Sequence, residues 1–408
     1  MEKLLKKYAL LAVKTGVNIN SGDILVINSP VECASFARLI AEEAYKQGAK
    51  QVVIHYNDEK FSRINFTYAS KETLEVVPDW IRDSYLYYAK KGASFISISA
   101  SDPENLKGID QEKISVSLKA RQLALKEYSE LLMSNKCAWS IVSIPTAAWA
   151  KKVFPDSSTD EAIERLWEQI FKIVRVDKED PDAAWHEHLA DLNKRLAYLN
   201  EKNFKFLHYT NSKGTDLKIE LPENHLWCGG ADKMPDGRNF VANMPTEEVF
   251  TLPLKTGVTG KVFSSMPLNY SGNLINNFSL TFSEGKIVDF SAETGKETLK
   301  HLIETDEGSH YLGEVALVPY DSPISNSGIT FFNTLYDENA SCHLAIGKAY
   351  PFCLKDSEGL SKEELLKKGV NESLTHVDFM VGTPDLNISG IKENGEEIQI
   401  FKDGNWTF

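Results

Sequence analysis

The sequence predicts two domains: an α/β N-terminal domain with a mostly parallel sheet over residues 1–200, and an α+β C-terminal domain with mostly antiparallel strands over 201–408. Three observations predict this. The chain has 408 residues, more than one core organises, since domains run about 100–200 residues. Its first half alternates short apolar runs with segments of helical period, the pattern of βαβ units. Its second half places apolar runs on either side of short polar turns, the pattern of antiparallel hairpins.

The elements follow in order. Glu2 to Gly16 is an amphipathic helix with Leu4, Leu5, Tyr8 and Leu11 on one side and lysines on the other. Ile24 to Asn28 is the first buried strand. Cys33 to Tyr45 is helical, with Gly48 as its stop. Gln51 to Tyr56 is the second strand. Lys71 to Lys91 is helical, broken near Pro78 and ended by Gly92. Ala93 to Ser99 and Trp139 to Ile144 are the third and fourth strands, and Ser158 to Val176 and Asp182 to Asn200 are two long helices. Beyond Asn200 the hairpins are Phe204 to Thr210 with Thr215 to Leu221, and Asn276 to Phe282 with Lys286 to Ser291. Glu297 to Glu304 is a short helix.

Several functions are excluded. No GxGxxG follows the first strand, where Asn28-Ser29-Pro30-Val31-Glu32 stands instead, so no glycine turn cradles a pyrophosphate. Gly257-Val258-Thr259-Gly260-Lys261 lacks P-loop spacing and carries Val262 where a magnesium-binding hydroxyl belongs, so it is a turn. The formal net charge of -13 argues against nucleic acid, which needs clustered Lys and Arg. No apolar run reaches the roughly 20 residues of a membrane helix, and no signal peptide is read at the N-terminus. The five cysteines form no CxxC pair, which points to a reduced, cytoplasmic protein. His186-Glu187-His188 lies on a helix without HExxH spacing and is read as an exposed charged face.

Chemistry concentrates in the second half. Glu247-Glu248 precedes the apolar Val249-Phe250-Thr251-Leu252, and Glu314 stands in an otherwise apolar strand, where a buried carboxylate is costly unless paired or metal-bound. In a strand, alternation sets Glu247 and Glu248 on opposite sides. His376 and Asp378 are i, i+2, which aims both at one side of a strand while Val377 packs on the other. Asp337-Glu338-Asn339-Ala340-Ser341 is loop-like and suited to capping a helix, with His343 in the first turns of that helix. Cys342 is read as a packed thiol. Singly, each of these residues is more simply a cap, an ion-pair partner or a satisfied histidine. Together, carboxylates and imidazoles without thiolate suit zinc, cobalt or manganese, and five or six donors suit two ions bridged by a carboxylate.

At these residues the chain resembles the thermophilic-type metallo-aminopeptidases of bacteria, the family typified by aminopeptidase T, and in particular its aminopeptidase S branch of Gram-positive bacteria. The resemblance rests on residues 243–253, 313–319, 337–347 and 376–382, in the family's order, and residues 7–19 match the family's usual opening. It implies metal ligands at Glu248, Glu314, Glu338, His343, His376 and Asp378, with Tyr350 lining the site. It also implies a homodimer of two-domain subunits and an aminopeptidase activity on peptides with a free N-terminus. Cys342, where relatives carry a small residue, is expected to leave coordination intact and to add sensitivity to oxidation. Within this reading Glu247 is the general base, by analogy with glutamates beside ligands in other two-metal aminopeptidases, provided a turn or bulge frees it from strand alternation. Tyr350 is the donor to the developing oxyanion, and the N-terminal domain and dimer are expected to restrict access to short, unfolded peptides. The competing readings are a dinuclear amidase or phosphoesterase, and a binding protein whose acids hold a structural cation.

Overall fold

In the computed structural model, which describes residues 1–270 and 273–408, the apolar runs of the first half form one parallel sheet. Its strands are β1 (Ile24–Pro30), β2 (Gln51–Asn57), β3 (Ser94–Ser99) and β4 (Trp139–Ser143), in the order β2-β1-β3-β4. All three pairings are parallel. The central strand β1 opens with the continuous apolar run Ile24–Ile27 because helices cover both faces of such sheets: Leu25, Val26 and Ile27 are fully buried, as is Ile96 of β3.

The helices between the strands obey local rules. Pro78 separates Lys71–Leu74 from Asp79–Ala89, since its ring displaces the preceding residue from helical geometry. The Ser158 side chain accepts the Glu161 N–H at the start of Thr159–Ile173. Helices at Glu59–Tyr68, Gln111–Ala124 and Lys126–Met133 are additional to the elements read from sequence. Glu59–Tyr68 leaves its apolar Phe61, Ile64 and Tyr68 exposed, and Gln111–Ala124 buries only Ile114 and carries no clear apolar stripe. His186 and Glu187 are exposed on the Pro181–Lys202 helix, but His188 is half-buried. Its Nε2 lies 2.7 Å from the Thr246 carbonyl and its Nδ1 lies 3.1 Å from Arg175 Nη2. The exposed-face reading therefore fails for His188, whose contacts come from residues distant in sequence.

Contacts group the chain into two units, Met1–Leu189 with Ala231–Thr246, and Ala190–Gly230 with Glu247–Phe408. Among the described residues the second unit contains two large antiparallel sheets and the two-stranded pair Leu268–Tyr270 with Asn273–Ile275. The larger runs, in spatial order, through Lys286–Ser291, Ser279–Ser283, Val258–Phe263, Asp216–Glu220, Phe206–Thr210, Asn387–Ile391, Glu397–Lys402 and Asn405–Trp406. The smaller contains β5 (Cys228–Gly229), β6 (Val249–Thr251), β7 (Leu312–Leu317), β8 (His343–Gly347) and β9 (His376–Met380), in the order β9-β8-β7-β6-β5.

The pleat sorts the smaller sheet's side chains into two faces. Cross-strand partners share a face, so the register Val315–Leu344–Phe379 defines one of them. With Leu317 and Ile346 these residues join Leu207, Leu217, Val262, Leu280 and Ile388 of the larger sheet in one buried core. The register Glu314–Ala345–Asp378 defines the other face, which also holds Ala316 opposite His343 and Gly347 opposite His376. The faces are assigned by a bulge: the register shifts between Leu312, opposite Ile346, and Glu314, opposite Ala345. Without that shift Leu312 and Glu314, being i, i+2, would share a face.

Gly313 makes the bulge possible. A Cβ there would stand 2.3 Å from the Lys348 carbonyl oxygen and 2.4 Å from that of Gly347. Gly313→Ala is expected to cost about 2–3 kcal/mol through forced backbone movement, read as a lower midpoint of urea denaturation with unchanged slope. An unaltered midpoint would show that the bulge tolerates a side chain.

Candidate metal centre

Four donors project from the face described above: Glu314 from β7, His343 from β8, and His376 and Asp378 from β9. Ala316, Ala345 and Gly347 are the small residues among them, so the face offers space between the donors. A fifth donor, Glu248, immediately precedes β6. The donors fall into two trios, Glu248–Glu314–His343 and Glu314–His376–Asp378, with ligand atoms in each trio lying within 4.8 Å of one another. Glu314 belongs to both. Its Oε1 is 3.6 Å from His343 Nε2, and its Oε2 is 3.5 Å from His376 Nε2. His343 Nε2 also lies 2.9 Å from Glu248 Oε2, and His376 Nε2 lies 3.4 Å from Asp378 Oδ1.

Both imidazoles are oriented by main chain. His343 Nδ1 lies 3.1 Å from the Ser341 carbonyl oxygen, and His376 Nδ1 lies 2.6 Å from that of Lys348. A carbonyl only accepts, so each Nδ1 carries the proton and donates it. In the neutral ring the lone pair is then on Nε2, which faces the carboxylates. A histidine that ligates a metal is commonly oriented this way by its second nitrogen. The buried atoms Glu248 Oε2 and Asp378 Oδ1 face His343 and His376 Nε2, and find a donor there only when those rings carry a second proton. The chemistry and orientation of this donor set fit divalent cations.

Charge explains why a cluster of this kind needs a cation. Burial pushes Glu314 up to about 7. Burial, together with the negative charges of Asp378 and Glu248, holds Glu338 well above the carboxylate range. Burial opposes charge on the histidines, but Asp378 and Glu314 carry His376 up to about 9, and Glu248 and Glu314 carry His343 well above its ordinary value. Burial likewise opposes charge on Asp378, where His376 outweighs it and the net shift is downward.

The remaining residues take distinct places. Glu338, in the turn Glu338–Ala340, belongs to neither trio, but its carboxyl feels Asp378, Glu248 and Glu314. Glu247 is buried, at 7% exposure, and its N–H donates to Asn339 Oδ1 at 2.7 Å. Strand β6 begins at Val249, and neither a turn nor a bulge is assigned at Glu247–Glu248. Tyr350 is half-buried, its ring 4.7 Å from that of His376 and stacked on Phe352 at 5.4 Å. Burial, then the negative charges of Glu314 and Asp378, hold its hydroxyl protonated far above its usual range. The cluster is more open on this side: the His376 and Asp378 side chains are 19% and 15% exposed, against 1% for His343.

Two expectations change. His343 opens a strand rather than a helix. The local helix is Thr334–Asp337, capped by Asn333, and it ends before the histidine. Pairing of His343–Gly347 between two strands overrides the capping pattern. Cys342 is buried in the core cluster, and burial pushes its thiol up to about 12. A buried thiol of that kind is inert, so oxidation sensitivity is not expected there. Asp337 binds the N–H groups of Phe331 and Asn333 at 2.8 and 3.1 Å, fixing the loop ahead of the helix. The sequence reading also missed Asn339 and the carbonyls of Ser341 and Lys348. Carbonyls carry no residue-type signal, and Asn339 is marked only by its place within the acidic motif.

This fold and donor set define a metal-dependent enzyme. The chain belongs to the thermophilic metalloprotease (M29) family, whose pattern matches residues 1–406. It is 50% identical over 404 residues to aminopeptidase AmpS of Bacillus subtilis (strain 168), covering 99% of this chain and 98% of that one. It is 40% identical over 402 residues to aminopeptidase T of Thermus thermophilus, covering 98% of each. The solved structure of wild-type AmpT from Thermus thermophilus superposes with a TM-score of 0.93 at 39% identity, over 100% of both chains. Membership of a metalloprotease family implies a divalent metal. Among the described residues no helix is long and apolar enough to cross a membrane.

Cations and protons compete for the same atoms. With Glu314 at about 7 and His376 at about 9, metal uptake should release protons and tighten as pH rises through that interval. Calorimetric titrations of metal-stripped protein in buffers of different ionisation heat measure the release. Uptake without proton release at pH 7 would contradict this charge balance.

Proposed function

We propose that this chain, a metal-dependent aminopeptidase, holds two divalent cations per subunit and releases N-terminal residues from peptides having a free α-amino group. The observation that carries the two-ion reading is the division of the Glu314 carboxylate between His343 and His376. In this reading Glu248, Glu314 and His343 would hold one cation and Glu314, His376 and Asp378 the other, with Glu338 as a further carboxylate donor. Zinc, cobalt and manganese suit these donors. When bound, the cations supply Lewis acidity and lower the pKa of water from about 15.7 towards about 7.

The protein's own groups do the rest. Glu247, buried beside the donor Glu248, is the general base that takes the proton from the attacking water. The Tyr350 hydroxyl stays protonated and donates to the scissile carbonyl oxygen as it gains charge, worth about 3–4 kcal/mol in comparable sites. The reading also makes the enzyme a cytoplasmic homodimer. Its five free cysteines, four of them buried, accord with a reducing compartment.

Metal analysis combined with a panel of aminoacyl-p-nitroanilides and a phosphate ester, before and after chelation, tests this reading. Two ions per chain are expected, with cleavage of the anilides alone and loss of cleavage after chelation. One ion per chain in fully active enzyme would overturn the two-ion reading. Glu247→Gln should lower kcat by about 10²–10⁴-fold with metal content intact. Tyr350→Phe should lower it by about 10²–10³-fold. Near-normal turnover in either variant would remove that residue from the mechanism.

A further inference from the structure

We propose that Asn339 is a positioning residue that locks the two acid-bearing segments of the centre, Glu247–Glu248 and Glu338, into one arrangement. The proposal rests on the metal-site reading given above. Asn339 is fully buried, and a buried amide is costly unless its polar atoms are paired. Its Oδ1 accepts the Glu247 N–H at 2.7 Å. Its Nδ2 donates to the Leu335 carbonyl oxygen at 3.0 Å and to Glu338 Oε1 at 3.4 Å. One amide thus bonds a helix carbonyl, a carboxylate of the centre and the main chain one residue before another donor.

Strand β6 begins at Val249, and the Asn339 bond falls on Glu247, two residues ahead of it. Leu335 lies in the short helix Thr334–Asp337, itself started by the Asn333 cap. The path from that helix through Asn339 to Glu247 ties a segment outside the sheet to a fixed turn. The carboxylate of Glu338 receives a donor at the same time. An apolar residue of this size would leave the Glu247 N–H, the Leu335 carbonyl and Glu338 each short of a partner. Aspartate would keep the acceptor for Glu247 but lose the donor to Glu338.

The test compares Asn339→Ala and Asn339→Asp with the parent enzyme in thermal melts, in metal titrations of stripped protein, and in kcat and KM at saturating metal. Asn339→Ala should lower kcat by about 10–100-fold and change KM by less than about threefold. Asn339→Asp retains the Glu247 anchor and should recover part of that loss, while its metal affinity departs from the parent's. If Asn339→Ala melts earlier but keeps parental kcat and metal affinity, the residue is structural and the proposal falls. Should the alanine variant fail to fold, parental kcat and metal affinity in Asn339→Asp would overturn it equally. Failure of the two-cation reading would appear in the parent enzyme, as fewer than two ions bound; failure of the Asn339 proposal appears only in the variants.

Discussion

Four carboxylates, Glu248, Glu314, Glu338 and Asp378, face two imidazoles inside the second unit, and this charge imbalance governs the centre. Even with both histidines protonated, four negative charges meet two positive ones. A low-dielectric interior does not leave that difference uncompensated. The molecule answers in part by holding protons: Glu314 and Glu338 are pushed up, and both histidines are raised by the acids beside them. Divalent cations supply the same compensation with more charge per site. Both rings keep Nε2 turned inward because main-chain carbonyls hold Nδ1.

The sheet makes this concentration of charge compatible with folding. One face of β7, β8 and β9 is given to the core through Val315, Leu344, Ile346 and Phe379. The other bears the donors, with Ala316, Ala345 and Gly347 leaving room between them. Apolar burial on one side anchors the strands, so the polar side need not contribute to stability. The bulge at Gly313 assigns Leu312 to the first face and Glu314 to the second. One residue of register therefore decides whether the acid shared by both trios reaches the centre at all.

Much of the architecture was legible in the sequence because it follows from local pattern. Continuous apolar runs separated by helical periods identified the parallel sheet, and polar turns identified the hairpins. The exceptions differ in cause. Gln111–Ala124 carries no clear apolar stripe, and Glu59–Tyr68 leaves its apolar side chains exposed. His343 follows a helix-capping pattern, yet its strand pairs with two others. His188 is half-buried because Arg175 and Thr246 stand against it. For both histidines contacts remote in sequence overrode the local signal.

By itself, the sequence determined the donor types, their order along the chain and the absence of a nucleotide-binding loop. Residue chemistry and local spacing are sufficient for those. Its long motifs also identified the metalloprotease family, since four such segments in order carry far more information than any one HxD pair. The tertiary structure decided which oxygen of Glu314 faces which histidine, which ring nitrogen is free, and which side of the cluster is open. It also decided that Asn339, silent in the sequence, bonds two acidic segments at once. Those properties depend on register, on backbone carbonyls and on contacts between residues up to 92 positions apart, none of which residue identity encodes.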